Sequence, residues 1–323
     1  MAKIIGSVVA EDDYTHELGP EPNFNESMYF NFFDPGQSIG GFVRLGNRAN
    51  EGQAEMTVCI YLEDGRVLFA FKRAEISHND AFDAGGLKFE VIEPSERLRT
   101  VYKGGVIELD NPKALSDPGK AFKNSPRRRI TLNLEHVACG PMYGESKNKH
   151  ESERDAEKQF AKAHYEQHMR VTGTIDLGDR QVEIAGYGLR DHSWGPRYWQ
   201  AIERYEWLTM NFGPDLGAMV SIIQIAGEKE RRGGVIVRNG ELIGIKNVTI
   251  DADFEDNGLY HRGLVAKIET KTGETFEIKG DVKGFIPLRN RRDGMTTHIG
   301  EGMTEWTLGD QKGYGLSEFL RQV

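Results

Sequence analysis

With 323 residues, 38% of them hydrophobic and 28% charged, the chain has an ordinary globular composition and is long enough for two domains of about 150 residues each. Its formal net charge of −9 argues against nucleic acid and anionic membrane surfaces as partners, since the basic clusters at Arg127 to Arg129 and Arg289 to Arg292 are short and local. No run approaches the roughly 18 apolar residues of a membrane-spanning helix, and no signal-peptide core follows Met1, so no membrane insertion and a cytoplasmic location are expected, with Cys59 and Cys139 as reduced thiols.

Taken in chain order, the first strand signal lies around Asn25, Tyr29, Asn31 and Phe33, whose odd positions share one face of an extended segment. Glu26 or Asn31 is a candidate to reach a ligand at the domain junction, with strand-edge hydrogen bonding the favoured reading for each. Ala54 to Leu62 and Val67 to Phe71 flank Asp64-Gly65, a hairpin signal. Asn111 to Pro126, with three prolines, reads as a long loop or short helix, and Ile130 to Ala138 as an apolar strand with His136 facing inward. Glu151 to Met169 contains no glycine or proline and is rich in alanine, glutamate, lysine and glutamine, which predicts a helix near the midpoint of the chain. Asn239-Gly240, Asn257-Gly258 and Thr272-Gly273 then separate further alternating runs, such as Val248, Ile250, Ala252 and Phe254 or Leu264, Ala266 and Ile268. Strands and helices do not alternate, which excludes a doubly wound sheet. The expectation is an all-β chain: a domain over 1–150, a connecting helix over 151–169, and a domain over 170–323.

Unusual residues concentrate in Ala185-Gly-Tyr-Gly-Leu-Arg-Asp-His-Ser-Trp-Gly-Pro-Arg-Tyr-Trp199. If Ile184 to Ser193 is a strand, Tyr187, Leu189 and Asp191 share one face while Arg190 and His192 share the other. An aromatic wall beside an ionisable face suits an apolar ligand with one reactive point. The C-terminal Lys312-Gly-Tyr-Gly-Leu-Ser-Glu318 echoes this segment, with an acid four residues after the tyrosine in both. Were the two strands neighbours in one closed barrel, Asp191 and Glu318 would face a common interior, and one of them would be held protonated. The plainer alternative is tryptophans filling a core, with Asp191 and Arg197 as a structural ion pair.

The stretch Gly-Tyr-Gly-Leu-Arg-Asp-His-Ser-Trp-Gly-Pro-Arg resembles the Asp-His-x-Trp-Gly signature of the carotenoid 1,2-hydratase (hydroxyneurosporene synthase) and AttH-like family, related to tocopherol cyclase and kievitone hydratase. The resemblance is strongest from about Gly173 to Trp199 and weaker around Tyr29 to Asp34, Gly40 to Gly46 and Gly302 to Phe319. It implies two consecutive lipocalin-like antiparallel barrels or sandwiches, and cofactor-independent proton-transfer chemistry on an unsaturated hydrophobic molecule. The acid of such an enzyme maps onto Asp191. Glu318, His192 and Tyr187 would assist it, and Trp194, Trp199, Arg197, Tyr314, Trp306, Tyr29 and Asn31 would hold the substrate. Cation–π contact with the aromatic faces would stabilise the cation that alkene protonation creates.

Other constellations carry less. His164 and His168 lie at i and i+4 and could share a metal on a helix, but a solvated or packed helix face is the favoured reading, so no metal and no cofactor are expected. Asp191, His192 and Ser193 cannot form a triad among themselves, because adjacent strand residues point to opposite faces. The function expected is therefore a hydratase, cyclase or isomerase acting on a terpenoid, polyketide or similar lipophilic molecule. The alternatives are a non-catalytic carrier or sensor using the same pocket, and a carbohydrate-binding β-sandwich with exposed tryptophans. The partner expected is a hydrophobic small molecule, with a homodimer allowed for.

Overall fold

The computed structural model describes residues 2–145, 162–292 and 294–323. The chain divides into two compact units, one built from Met1–Leu109 and Ser125–Tyr198, the other from Asp110–Asn124 and Trp199–Val323. Both are all-β, as the glycine-punctuated alternation predicts.

The first unit opens with β1 (Ile4–Gly6) and a short 3₁₀ turn at Ala10–Asp13. A meander follows: β2 (Phe24–Asp34), β3 (Ile39–Arg48), β4 (Gln53–Tyr61) and β5 (Val67–Glu75), then the small β6 (Asp83–Ala84), β7 (Leu87–Glu93) and β8 (Arg97–Leu109). After an excursion into the second unit come β9 (Arg127–Ala138), β10 (Met142–Glu145), β11 (Ala163–Asp176) and β12 (Gln181–Pro196). Following the pairings from β11 through β12, β2, β3, β4, β5, β8 and β9 returns to β11, so eight strands close a ring. Asp64-Gly65 makes the β4–β5 turn, with Gly65 at φ +86°, where a side chain would be strained. Inward-facing Met28, Phe30, Phe32, Val43, Leu45, Val58, Leu132, Leu134, Met169, Val171 and Ile184 form its core.

Two expectations are corrected here. Residues 163–169 are strand rather than helix, while 146–161 lie outside the described residues. The alternation of buried Tyr165, Gln167, Met169 and Val171, and the β-branched residues that follow, match a ladder with β12 running from Ala163↔Trp194 to Asp176↔Gln181; this tertiary pairing overrides the helix propensity of the alanine- and glutamate-rich stretch. The boundary between the units falls at Tyr198/Trp199 rather than within 150–170. The reason is edge satisfaction: without β11 and β12, β2 and β9 would each keep a row of unpaired backbone groups.

The second unit is a closed barrel of β13 (Ile202–Asn211), β14 (Leu216–Ile225), β15 (Arg231–Arg238), β16 (Glu241–Phe254), β17 (His261–Thr270), β18 (Thr275–Arg292), β19 (Met295–Leu308) and β20 (Gln311–Gln322). Asn239-Gly240 joins β15 to β16 with φ +51° and +75°, the double positive φ of a type I′ turn, and pins the register at Arg238↔Glu241. The proline-rich stretch of the first half folds as a 3₁₀ turn (Pro112–Ser116) and α1 (Pro118–Asn124), and belongs to this unit. Trp306 is fully buried in its core, its indole N–H donating to the Thr209 carbonyl at 2.8 Å.

Polar groups fill one end of the first barrel. Arg190 and Asp13 are both fully buried and pair at 2.5 Å; the Arg190 guanidinium also donates to Gln167 Oε1 and the Tyr165 hydroxyl. Asp13 further accepts from Tyr165 at 2.5 Å and from the Ser95 amide at 2.6 Å. Burial alone would raise the Asp13 carboxyl, but the Arg190 charge and these hydrogen bonds bring it below its ordinary value. Removing one partner of a buried pair leaves the other charge uncompensated, at a cost of about 3–5 kcal/mol. Asp13→Ala is therefore expected to lower unfolding stability by about that amount in urea titrations, against less than about 0.5 kcal/mol for a surface control such as Glu183→Ala.

Candidate functional site

The side-chain alternation of β12 settles which motif residues can act together. Arg190, His192 and Trp194 point into the first barrel, whereas Tyr187, Leu189, Asp191 and Ser193 lie on its outer face. The strand assignment and the two faces expected from the sequence hold; its placement in a C-terminal barrel does not, since β12 completes the first unit.

On the outer face the strand registers align one lateral row: Tyr143 on β10 opposite Glu166 on β11, Glu166 opposite Asp191, Asp191 opposite Tyr29 on β2, Tyr29 opposite Arg44 on β3, and Arg44 opposite Thr57 on β4. Directly opposed residues in antiparallel ladders hold their Cβ atoms about 4.5–5.5 Å apart, so these groups are immediate neighbours. The Tyr143 hydroxyl donates to Glu166 Oε2 at 3.0 Å. His164, two residues from Glu166, contacts Asp191 through Nε2, which also lies 3.7 Å from Glu166 Oε1. Ser193, opposite His164, accepts from Arg197 at 2.6 Å. Two carboxylates thus flank one imidazole, and the imidazole and Asp191 keep 42% and 20% of their side-chain surface exposed while Glu166 keeps 1%.

Burial by itself would lower the His164 pKa, but the Asp191 charge and hydrogen bond, followed by Glu166, raise it to about 9. Burial and then the Glu166 charge push the Tyr143 phenol well above its ordinary value, so it remains a donor. The row therefore combines a protonated imidazole, two carboxyl groups and a phenol on one surface, which is the equipment of general acid–base chemistry. The same cluster of His164, Glu166 and Asp191 has donor atoms within 4.8 Å of one another and could also ligate a cation.

On the inner face a second cluster forms around Glu26, whose Oε1 contacts His16 Nδ1 at 2.6 Å and His192 Nε2 at 2.9 Å. Its Oε2 accepts from the His16 amide and from Asn79 Nδ2, at 2.9 and 2.7 Å. Trp194 stacks on His16 with ring centroids 3.8 Å apart. Burial opposes ionisation of Glu26, but hydrogen bonds from His16 and His192 and their charges bring it down to about 2.

Of the sequence candidates, Asp191, Tyr187, Tyr29 and Asn31 share the outer face, with Asn31 Oδ1 accepting from the Leu189 amide at 2.9 Å and Arg197 attached through Ser193. His192 and Trp194 face away from Asp191, so they neither orient it nor supply a cation–π wall beside it. Glu318 and Tyr314 stand on β20, which pairs with β13 and β19 and not with β12; the strands of the echoed motif are not neighbours, and Asp191 and Glu318 do not share a barrel interior. Tyr314 donates to Glu305 at 2.9 Å, Trp306 is core, and Trp199 begins the second unit. His164, Glu166, Tyr143 and His16 were not among the expected site residues. A strand register for 163–176 would have exposed the first two, because it places 164 and 166 on the face of Asp191.

Residues 9–323 match the family described as a domain of unknown function, DUF7064. The chain belongs to this family. Among curated proteins none matches the sequence. Solved structures share the fold: a candidate AttH from Nitrosomonas europaea (15% identity, 99% of both chains, TM-score 0.64), kievitone hydratase from Nectria haematococca (11%, 99% of this chain and 97% of that one, 0.56) and CghA in complex with Sch210972 (11%, 94% and 88%, 0.55). The AttH-like architecture expected from the motif is thus observed in DUF7064. Among the described residues, no helix is long and apolar enough to cross a membrane.

The raised His164 pKa has a consequence for stability. A group whose folded pKa exceeds its unfolded value of about 6.5 contributes stability that is fully present below the unfolded value and lost as pH rises through the folded one. His164→Gln is therefore expected to destabilise the protein most at pH 6, progressively less between about pH 6.5 and pH 9, and little above that, as followed by urea unfolding at each pH. A deficit independent of pH would place the imidazole outside an ion pair.

Proposed function

We propose that the chain is an enzyme of the hydratase kind, moving protons on an unsaturated hydrophobic small molecule from the outer face of β11 and β12. The observation that carries the reading is the contact of His164 with Asp191 inside the Tyr143–Glu166–Asp191–Tyr29 row. In a hydration, one alkene carbon receives a proton and the other receives the oxygen of water, whose own proton must leave. The row offers both ends of that exchange. His164 holds one proton at neutral pH and is the group that can give it to the alkene carbon. An adjacent carboxylate accepts the proton of the attacking water, the reverse sequence performs a dehydration, and protonation at one carbon followed by proton loss from another performs an isomerisation. Tyr29, directly opposite Asp191, and Tyr143 supply phenol donors that orient water or an oxygen of the substrate.

The likeness to kievitone hydratase and to CghA bound to Sch210972 supports a lipophilic natural product as the substrate class, terpenoid or polyketide in character, while the row itself supports the proton chemistry. This placement departs from the expectation: Asp191 stands in the first unit, and its partners are His164 and Glu166 rather than Glu318, His192 and the tryptophans.

The test begins with kievitone and a panel of prenylated and terpenoid alkenes in ¹⁸O-labelled water, read by mass spectrometry. The wild-type protein is expected to add one labelled water to at least one of them. Asp191→Asn should lower the rate by at least about 100-fold, the usual weight of a positioned acid–base group, without loss of binding. Binding without any incorporation, unchanged in Asp191→Asn, would make the protein a carrier instead.

A further inference from the structure

We propose that His16, Glu26 and His192 form a binding site for a divalent first-row transition metal ion at the polar end of the first barrel. No metal was expected from the residues, where only His164 and His168 were weighed as a ligand pair; His16 and Glu26 lie far from His192 along the chain.

The case rests on the hydrogen-bond accounting of the two imidazoles. His16 Nδ1 faces Glu26 Oε1 at 2.6 Å and its Nε2 faces Asp12 Oδ1 at 3.2 Å, so both ring nitrogens point at carboxylate oxygens, which only accept. His192 Nε2 faces the same Glu26 Oε1 at 2.9 Å, and its Nδ1 faces the Tyr165 hydroxyl at 3.2 Å. The Tyr165 proton is already committed to Asp13 at 2.5 Å, and the same oxygen accepts from Arg190, so toward His192 it can only accept. All four ring nitrogens therefore face acceptors. A neutral imidazole has one N–H and one lone pair, so each ring has one nitrogen too many for this environment. Either both rings are fully protonated and crowd two cations onto one oxygen with centroids 5.6 Å apart, or a single dication takes the lone pairs of Nδ1 and Nε2 together with Oε1.

The geometry fits the dication. The three donor atoms all lie within 4.8 Å of one another, and the two contacts to Oε1, at 2.6 and 2.9 Å, would open toward the separation of about 3.0 Å (octahedral) to about 3.4 Å (tetrahedral) between adjacent ligands on an ion with bonds near 2.1 Å. Each ligand is also held from behind: Asp12 accepts from His16 Nε2–H, Tyr165 from His192 Nδ1–H, and Asn79 and the His16 amide fix the second oxygen of Glu26. Outer partners of this kind fix ring orientation and tautomer at metal sites. Charge points the same way. With neutral imidazoles, the carboxylates of Asp12, Asp13 and Glu26 against the guanidinium of Arg190 leave two negative charges in the network, which one dication neutralises. Two imidazoles and one carboxylate are a donor set for zinc, cobalt or ferrous iron rather than for calcium. Glu26 and His192 have fully buried side chains, while His16 retains 23% exposure, giving an ion a route at the rim.

The experiment is titration of the full-length, chelator-treated protein with Co²⁺, followed by d–d absorption and calorimetry. One equivalent is expected to bind. His16→Gln should weaken binding by roughly 100-fold, at or beyond the 10–100-fold typical of losing an outer partner alone, and His164→Gln should leave it unchanged. Should His16→Gln fail to fold by circular dichroism, the wild-type protein still decides the matter: the ring protons of His192 and Trp194 must take large paramagnetic shifts, and those of His164 must not. Absence of Co²⁺ and Zn²⁺ binding at millimolar concentration would overturn the site, leaving a doubly protonated histidine pair. Binding that is lost in His164→Gln but kept in His16→Gln would overturn it too, moving the ion to the outer cluster. None of these outcomes depends on the proposed hydratase activity.

Discussion

The fully buried pair of Arg190 and Asp13 is the constraint around which the first unit is arranged. A guanidinium in a barrel interior is tolerable only when its donors are met, and here Asp13, Tyr165 and Gln167 meet them. Asp13 comes from the N-terminal segment, Tyr165 and Gln167 from β11, and Arg190 from β12, so one ion pair ties three distant stretches of sequence to the same barrel end. It also sets the facing of β12. Once Arg190 points inward, period two sends His192 and Trp194 inward and Asp191 outward. The Asp-His-x-Trp motif is therefore divided between two sites rather than assembled into one.

That division explains the different character of the two faces. The inner cluster is largely buried, open only at His16, with its ring nitrogens and carboxylate oxygens engaged, and it resembles a site built to hold something still. The outer row is partly open to solvent at His164 and Asp191. General acid–base chemistry needs groups that can change protonation state within reach of a substrate, whereas structural networks gain by never doing so. The two sides of one strand supply both.

Much of the fold was legible in the residues. The hairpins at Asp64-Gly65 and Asn239-Gly240 follow from the positive φ those turns demand, and the alternation from Val248 to Phe254 follows from a sheet with one face on a core. The two faces of Ile184 to Ser193 were legible for the same reason. What was not legible depends on pairing across long distances. His164 to Met169 carries helix-forming residues, and only the partner strand makes it extended. The echo between the segments around Tyr187 and Tyr314 suggested neighbouring strands. Short glycine-rich segments recur wherever backbones approach closely, however: a Cβ on Gly188 would meet the Asn31 carbonyl, and one on Gly315 would meet the Thr209 carbonyl. The shared pattern marks similar packing in two separate barrels. Asp13 and His16, in a segment without periodicity, gave no signal of their own.

The ring of strands forks along β11. From Met169 to Asp176 one edge pairs with β9 and belongs to the closed circuit, but at His164, Tyr165 and Glu166 the same edge pairs with the short β10, which among the described residues is flanked on its other side only by β1. Gln167 sits at the branch and donates to the Ser95 and Gly140 carbonyls left there. Cooperative units of a protein tend to follow such seams, and a flap of four and three residues holds far fewer backbone bonds than the circuit beside it. The β1–β10 flap is thus joined to the unit by fewer backbone bonds than the ring beside it. Since it carries Tyr143, its opening would leave Glu166 without its phenol donor. Amide exchange on that flap is then a clock separate from global unfolding, and it measures how often the acid–base row loses one end.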